Sequence, residues 1–316
     1  MRVLVTGGAG FIGSRLVARL AQEGDEVVVL DDFSRGSESN LRGLKGKVQV
    51  IRGDVRDPRA VERAARDVEG VVHLAALIDV AESVRKPDLY FDVNVRGTLN
   101  VLEAAKNVEA FVFASSAAVY GNPVKLPIAE DHPLRPLSPY GATKVAGEAL
   151  VHIYAVARGF RPVILRLFNV YGPKQSKAYA GVVVEFLRRA LRGEPPLIYG
   201  DGAQSRDFVF VDDVVEYFVR ALRMGSVRGV YNVGSGRAVS ILELAELVAR
   251  ILKKPELKPA YAPPRAEDIR CSVADISRTV RDFGYRPKVA LEEGLRITAE
   301  AIAAELRARL DCPLNA

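Results

Sequence analysis

The sequence predicts an α/β fold: a doubly wound parallel sheet with a smaller C-terminal α/β lobe. Three observations predict it. Short continuous runs of Val, Ile and Leu recur through roughly the first 170 residues, as strands covered on both faces require. Helix-period segments alternate with those runs, which implies βαβ units. A glycine-rich turn separates the first such strand from the first such helix.

Taken in order, Arg2–Thr6 is the first strand. Phe11–Gln22 follows with Phe11, Ile12, Leu16, Val17 and Leu20 at helical spacing. Glu26–Leu30, Val48–Arg52, Gly70–Ala75, Ala110–Ala114 and Pro162–Phe168 are the next strands. Past Tyr171 the pattern changes, with Gly172-Pro173 as a turn and Gly181–Arg192 as a helix. Leu197–Tyr199 and Asp207–Val211 read as strands, and Val214–Arg223 as a helix capped by Asp212 or Asp213. Val230–Val233 is a strand, and Ser240 caps a helix that runs to Leu252. Lys253–Pro264 holds four prolines and reads as a connector, and Glu292–Leu310 as a terminal helix. These elements place a nucleotide-binding domain at residues 1–171 and 207–252, and a substrate lobe at 172–206 and 253–316.

The chain has 316 residues, with 45 basic and 39 acidic ones, a net charge of +6. No Lys/Arg run exceeds two residues and aromatics do not interleave with basic clusters, so the charge suits a phosphorylated small molecule better than a nucleic acid. No apolar run approaches the ~18 residues of a membrane span. The first strand begins at once, so no signal peptide is expected, and the location is cytoplasmic. Cys271 and Cys312 have no second Cys or His at metal-ligand spacing, which argues against a metal site and fits a reducing compartment.

Gly7, Gly10 and Gly13 stand at GxxGxxG spacing between strand and helix. Glycines there allow the backbone to approach a pyrophosphate, and the helix N-terminus offers N–H donors and partial positive charge. Asp31 lies 18 residues after Gly13, near the ~20 expected of a carboxylate that holds a ribose 2′-hydroxyl. A carboxylate repels a 2′-phosphate, so NAD is preferred to NADP; Arg35 would soften that preference. The fold expected is therefore a Rossmann fold.

Tyr140 and Lys144 sit at i, i+4 on a helix that follows Ser138-Pro139, so they share a face. A neighbouring ammonium favours phenolate, so the Tyr140 pKa is expected to fall from its ordinary ~10 towards neutrality. That would make Tyr140 a general acid–base for a sugar hydroxyl. Ser115 and Ser116 end the strand at Ala110–Ala114, at the sheet edge where ligands bind in open parallel sheets. Ser116 is placed to bond the same hydroxyl, and Ser115 reads as a loop cap. His73 reads as a satisfied strand-end residue.

Together the motifs resemble the extended short-chain dehydrogenase/reductases, and within them the UDP-glucose (UDP-galactose) 4-epimerases. The marks are TGGAGFIG at Thr6–Gly13, GDVRD at Gly53–Asp57, HLAA at His73–Ala76 and NVRGT at Asn94–Thr98. SSAAVYG at Ser115–Gly121, PYGATK at Pro139–Lys144, RLFNVYGP at Arg166–Pro173, GDGAQSRDFVFVDD at Gly200–Asp213 and RAED at Arg265–Asp268 continue them. The resemblance implies an NAD-dependent isomerase with Ser116, Tyr140 and Lys144 as catalytic residues. It implies NAD contacts from Phe11 and Ile12 at the pyrophosphate, from Asp31, Asp32 and Ser34, Arg35 and Gly36 around the adenosine ribose, and from Asp54 and Val55 at adenine. Leu74, Ala75 and Ala76 would line the cofactor, Asn94 would support it, and Tyr140, Lys144 and Phe168 would meet the nicotinamide end. Asn169, Arg206 and Arg265 would hold the nucleotide diphosphate through planar Arg forks and an amide, and Tyr199 would flank uracil. The plainer alternative for the two arginines is a salt bridge, with Asp207 and Asp268 as partners.

The related sugar 4,6-dehydratases carry Asp-Glu just after the serine, and the decarboxylases a Glu; Ala117-Ala118 stands there in this chain, which leaves epimerisation. Ser272, seven residues past Arg265, is small where strict UDP-glucose epimerases tend to place Tyr, so an N-acetylated UDP-sugar would also fit. A homodimer through Pro87–Lys106 and Ser138–Arg158 is implied by the same resemblance. A non-catalytic NAD sensor would lack the Tyr or the Lys, and both are present.

Overall fold

The computed structural model describes residues 1–44, 48–175, 181–264 and 269–310. The first part of the chain runs β1 (Arg2–Thr6), α1 (Phe11–Gln22), β2 (Glu26–Asp31), β3 (Val48–Arg52), α2 (Pro58–Ala64) and β4 (Gly70–His73). Next come α3 (Val80–Arg85), α4 (Pro87–Phe91), α5 (Gly97–Ala104), β5 (Ala110–Ser116), α6 (Pro139–Arg158) and β6 (Arg161–Leu167). The later part is β7 (Asn169–Tyr171), α7 (Val182–Leu191), β8 (Leu197–Tyr199), β9 (Ser205–Phe210), α8 (Val211–Arg223) and β10 (Gly229–Val233). It ends with β11 (Ala238–Ser240), α9 (Ile241–Ile251), β12 (Ala260–Ala262), β13 (Cys271–Ser272), α10 (Ser277–Phe283) and α11 (Leu291–Leu310).

Seven strands form one parallel sheet in the order β10-β6-β5-β4-β1-β2-β3. The order reverses between β1 and β4, and the crevice beyond their carboxyl ends is where a doubly wound sheet binds ligands. Alternation along each strand fills both faces. Val3 and Val5 pack with Leu16 of α1 and Phe218 of α8 on one side. Leu4 packs with Val61 of α2, Val101 of α5 and Val151 of α6 on the other. The Pro87–Lys106 helix of the sequence is three pieces: a π-helical turn at Asp92–Arg96 joins α4 to α5.

The stretch 207–252, assigned by sequence to one domain, divides. α8 packs on the large sheet and β10 is its edge strand. β9 instead pairs with β7, β11 and β13 in a second sheet, and α9 joins α7 and α11 in that sheet's own apolar cluster. Local hydrophobicity is alike in β9 and β10, and only long-range pairing separates them. The connector at Lys253–Pro264 contains β12, which pairs with β8 between flanking prolines.

The helix expected from Val214 begins at Val211, and no side chain caps it. Asp213 serves another purpose. It is buried and accepts from the Tyr285 hydroxyl, from the Lys288 N–H at 2.9 Å and from the Val289 N–H at 3.1 Å. It thus pins the segment before α11 to α8. Asp212 is exposed and pairs with Arg15 on the surface. Asp213→Ala should therefore destabilise the protein by about 2–4 kcal/mol in chemical denaturation, because the buried Tyr285 hydroxyl and two backbone N–H groups lose their acceptor. Asp212→Ala, which removes a surface ion pair, should change it by less than about 1 kcal/mol.

Candidate functional site

The glycine loop is built by close approach. Gly7 has φ +69°, and a Cβ on it would lie 2.8 Å from the Ala75 nitrogen. A Cβ on Gly13 would lie 2.2 Å from the Gly7 carbonyl oxygen, so the turn and α1 touch without side chains between them. Gly10 donates its N–H to that same oxygen at 3.1 Å and starts α1, which no side chain caps. The helix N-terminus is left to an anionic ligand. A dinucleotide pyrophosphate fits this cradle.

In front of the loop is a cavity of about 440 Å³. Gly7, Gly10, Phe11, Ile12 and Gly13 line one side; Asp31, Asp32, Ser34, Arg35 and Gly36 lie at the end of β2; Asp54 and Val55 follow β3; Leu74, Ala75 and Ala76 follow β4; Tyr140 and Lys144 close the far end. Asp31 is buried, which raises its carboxyl pKa, and both oxygens are held: Ala9 and Phe33 each donate an N–H at 2.8 Å. It ties the glycine loop to β2 while it faces the cavity. Asp32 accepts from the N–H and hydroxyl of Ser34, and Arg35 pairs with Glu82 at 2.8 Å. Arg56 grips Asp54 and holds its carboxyl below the usual range.

Helix α6 starts at Pro139, capped by Ser138, whose hydroxyl accepts the Gly141 N–H at 3.1 Å. This start sets Tyr140 and Lys144 against the end of β5. Lys144 Nζ donates to the Ala114 carbonyl at 2.8 Å and lies 5.1 Å over the Phe113 ring. Burial pulls its pKa down from 10.5 to about 8, with Glu148 acting against the fall. The expected lowering of Tyr140 is not found: burial raises the phenol, and hydrogen bonding with Ser116 only opposes this. The ammonium is spent on the Ala114 carbonyl, and the phenol is desolvated.

Ser116, besides hydrogen-bonding Tyr140, is the serine that caps a turn, and Ser115 is not the loop cap expected of it. Ser116 caps the turn at Ala117–Val119, accepting the Ala118 N–H at 3.2 Å. Ser115 lines the cavity and donates its hydroxyl to Glu148. His73 is buried between Thr6 at 2.7 Å and Thr98 at 2.9 Å, and burial holds it neutral with a pKa near 3.

Other expected residues stand back from the cavity lining. Asn94, on the π-helical turn, uses its amide on Leu77 and Thr143, so it braces the β4–α3 loop against α6. Phe168 is buried with Val119, Tyr120 and Ile128. Asn169 donates to the Asp207 carbonyl at 3.1 Å. Tyr199 ends β8, and its carbonyl accepts from Gln204 at 2.7 Å. Arg206, on β9, reaches the carbonyls of Ser205 at 2.8 Å and Ile269 at 2.5 Å. Asp207 is not its salt-bridge partner: fully buried, it accepts from Ser235, Gly236 and Ala274. Arg265, with the rest of the RAED motif, and Cys312 lie outside the described residues.

Arg56, which lies in the GDVRD motif without an assigned role, and Ile78 and Gln175, which lie in no motif, also line the cavity. The Gln175 Oε1 is buried without a partner among the described residues. Its only signal in sequence is its place two residues past the Gly172-Pro173 turn. Among the described residues no cluster of His, Cys, Asp and Glu could hold a metal ion, and no helix is long and apolar enough to cross a membrane.

Comparison with known proteins identifies the family. The NAD dependent epimerase/dehydratase family matches residues 3–234. A UDP-glucose 4-epimerase of Mycolicibacterium smegmatis is 42% identical over 307 residues, covering 95% of this chain and 98% of that protein. The Thermus thermophilus UDP-glucose 4-epimerase, solved as a complex with NAD, is 42% identical with a TM-score of 0.88, covering 96% of this chain and 99% of that one. UDP-glucuronic acid decarboxylase 1 of Arabidopsis thaliana is also similar, 36% identical over 93% of this chain and 68% of its own length. A UDP-N-acetylglucosamine 4-epimerase of Methanobrevibacter ruminantium is 35% identical with a TM-score of 0.91, covering 96% of this chain and 98% of that one. The chain belongs to the NAD dependent epimerase/dehydratase family, and NAD is its cofactor.

Proposed function

We propose that the protein is a UDP-glucose 4-epimerase that interconverts UDP-glucose and UDP-galactose through a 4-keto sugar. One observation carries the reading: Tyr140 and Lys144 close the glycine-loop cavity beside the Ser116 turn, and the next two residues are Ala117 and Ala118. No acid or base stands there to drive elimination of water or loss of CO₂.

Tyr140 takes the proton from the sugar 4-hydroxyl and later returns it, with Ser116 bridging the two oxygens. Lys144, one helical turn on, stabilises the phenolate. Burial alone opposes phenolate, so Tyr140 ionises only when positive charge stands at that end of the cavity. The chemistry that bound NAD supplies is reversible hydride exchange with the sugar C4, on either face of that carbon. Asp31 selects NAD over NADP by repelling a 2′-phosphate. Asn169, Tyr199, Arg206 and Arg265 hold the uridine diphosphate while the keto sugar turns over. The protein works in the cytoplasm, in galactose metabolism, as a homodimer through Pro87–Lys106 and Ser138–Arg158. The exposed apolar Phe91, Ile153 and Val156 support that contact.

Ser272 favours a second substrate. It is 8% exposed and stands opposite Arg206 in the β13–β9 register. A side chain this short, where a Tyr would be bulky, supports the reading that UDP-N-acetylglucosamine is turned over as well.

Incubation with UDP-galactose should yield UDP-glucose, and deuterium at C4 should reappear at C4 of the product. A 4-keto-6-deoxy product or CO₂ would refute the reading. Tyr140→Phe should lower kcat by about 10³-fold and leave NAD bound, as read from the nucleotide released on denaturation. Ser272→Tyr should cut kcat/KM for UDP-N-acetylglucosamine at least about tenfold and leave that for UDP-galactose within about threefold. Equal loss on both sugars would remove Ser272 as a gate.

A further inference from the structure

Beneath Tyr140 and Lys144 runs a buried polar chain that the proton transfer does not use. Glu148, one turn past Lys144 on α6, makes a two-pronged ion pair with Arg166 of β6, Nε to Oε1 at 2.9 Å and Nη2 to Oε2 at 2.7 Å. The two side chains are 8% and 5% exposed. Ser115, in the cavity wall, donates its hydroxyl to Glu148 Oε1. On the far side Arg166 donates to the Tyr120 hydroxyl at 2.9 Å and the Glu130 carbonyl at 2.8 Å. Asn232 of β10 accepts from the Tyr120 hydroxyl at 2.6 Å and donates its N–H to Glu130 at 2.9 Å.

A buried ion pair adds little stability over an apolar pair of the same size, so stability alone does not account for this one. Its position is informative. Lys144 faces the neutral His73 on β4, the Phe113 ring and the Ala114 carbonyl on β5, and Tyr140 on its own helix. Glu148 is the carboxylate whose charge reaches it. Arg166 balances that carboxylate from β6, and Ser115 fixes its orientation from β5.

We propose that Glu148 is a positioning residue for the Tyr140–Lys144 pair. Its carboxylate, fixed by Arg166 and Ser115, is the negative charge that faces Lys144, and it ties the catalytic turn of α6 to the ends of β5 and β6. The proposal rests on the reading of Tyr140 and Lys144 as the proton-transfer pair. Without Glu148, Lys144 gives up its proton at lower pH and Tyr140 loses its cation.

The test uses NAD-loaded enzyme and two readouts. One is kcat against pH with UDP-galactose; the other is NMR titration of labelled lysine side chains, with Lys144→Met to assign the signal. Burial lowers the Lys144 pKa to about 8, so activity is expected to fall as the pH rises through that value. Glu148→Gln should move both the titration and the alkaline limb to lower pH by about one unit, with kcat near pH 8.5 reduced about tenfold and KM changed less than about threefold. Glu148→Asp should restore most of the shift. Should Glu148→Gln not fold, the Glu148→Leu/Arg166→Met double variant keeps the packed volume and answers the same question. An unshifted Lys144 titration in the folded single or double variant overturns the proposal. Absence of turnover on every UDP-sugar defeats the functional reading instead, while the Lys144 titration still decides this one.

Discussion

Everything at the site depends on how closely α6 lies against β5. A Cβ on Gly147 would meet the Phe113 ring at 2.5 Å, and one on Gly141 would meet the Ala118 carbonyl oxygen at 2.7 Å. Two glycines inside a helix weaken it, by about 0.5–1 kcal/mol each in a helix interior. They are tolerated because they let backbone meet backbone and ring. Only at that separation does Lys144 reach the Ala114 carbonyl, and only then does Tyr140 stand over the carboxyl end of the sheet. The same shortening brings Glu148 to Arg166. The helix approach, the buried ion pair and the chemistry at the cavity end are one arrangement.

Desolvation then sets the charges. It holds His73 neutral, lowers Lys144 to about 8 and raises Tyr140. Full Coulomb attraction between a phenolate and an ammonium is therefore not stored in the resting protein. Asp31 and Asp207 show the complementary case: buried carboxylates whose raised pKa values are opposed by backbone N–H donors. Both use those donors to fix loops, Asp31 at the glycine turn and Asp207 at the segment after β10.

What was legible in the sequence was what local spacing determines. The strands from β1 to β6, the glycine turn and the Tyr140–Lys144 face follow from alternation, period and adjacency. What was not legible depended on partners distant in the chain. Nothing within Asp207–Val211 says that β9 leaves the large sheet while β10, some twenty residues later, returns to it. Asp213 reads as a cap from its neighbours and acts as an anchor for Lys288 and Val289. Ser115 and Ser116 are adjacent and similar, and only the pleat decides which faces Glu148 and which turns to Ala118. A depressed Tyr140 pKa follows from one neighbour in sequence, whereas burial, which spacing does not show, acts the other way and is the larger effect.

The strand order carries a last consequence. The chain leaves the large sheet after β6, returns through α8 to place β10 at its edge, and leaves again for β11 and α9. Neither half is a contiguous stretch that could be cut out or grafted whole. Any change to the second sheet, its β9–β13 seam included, is made on a chain that is also threaded through the sheet carrying the glycine turn.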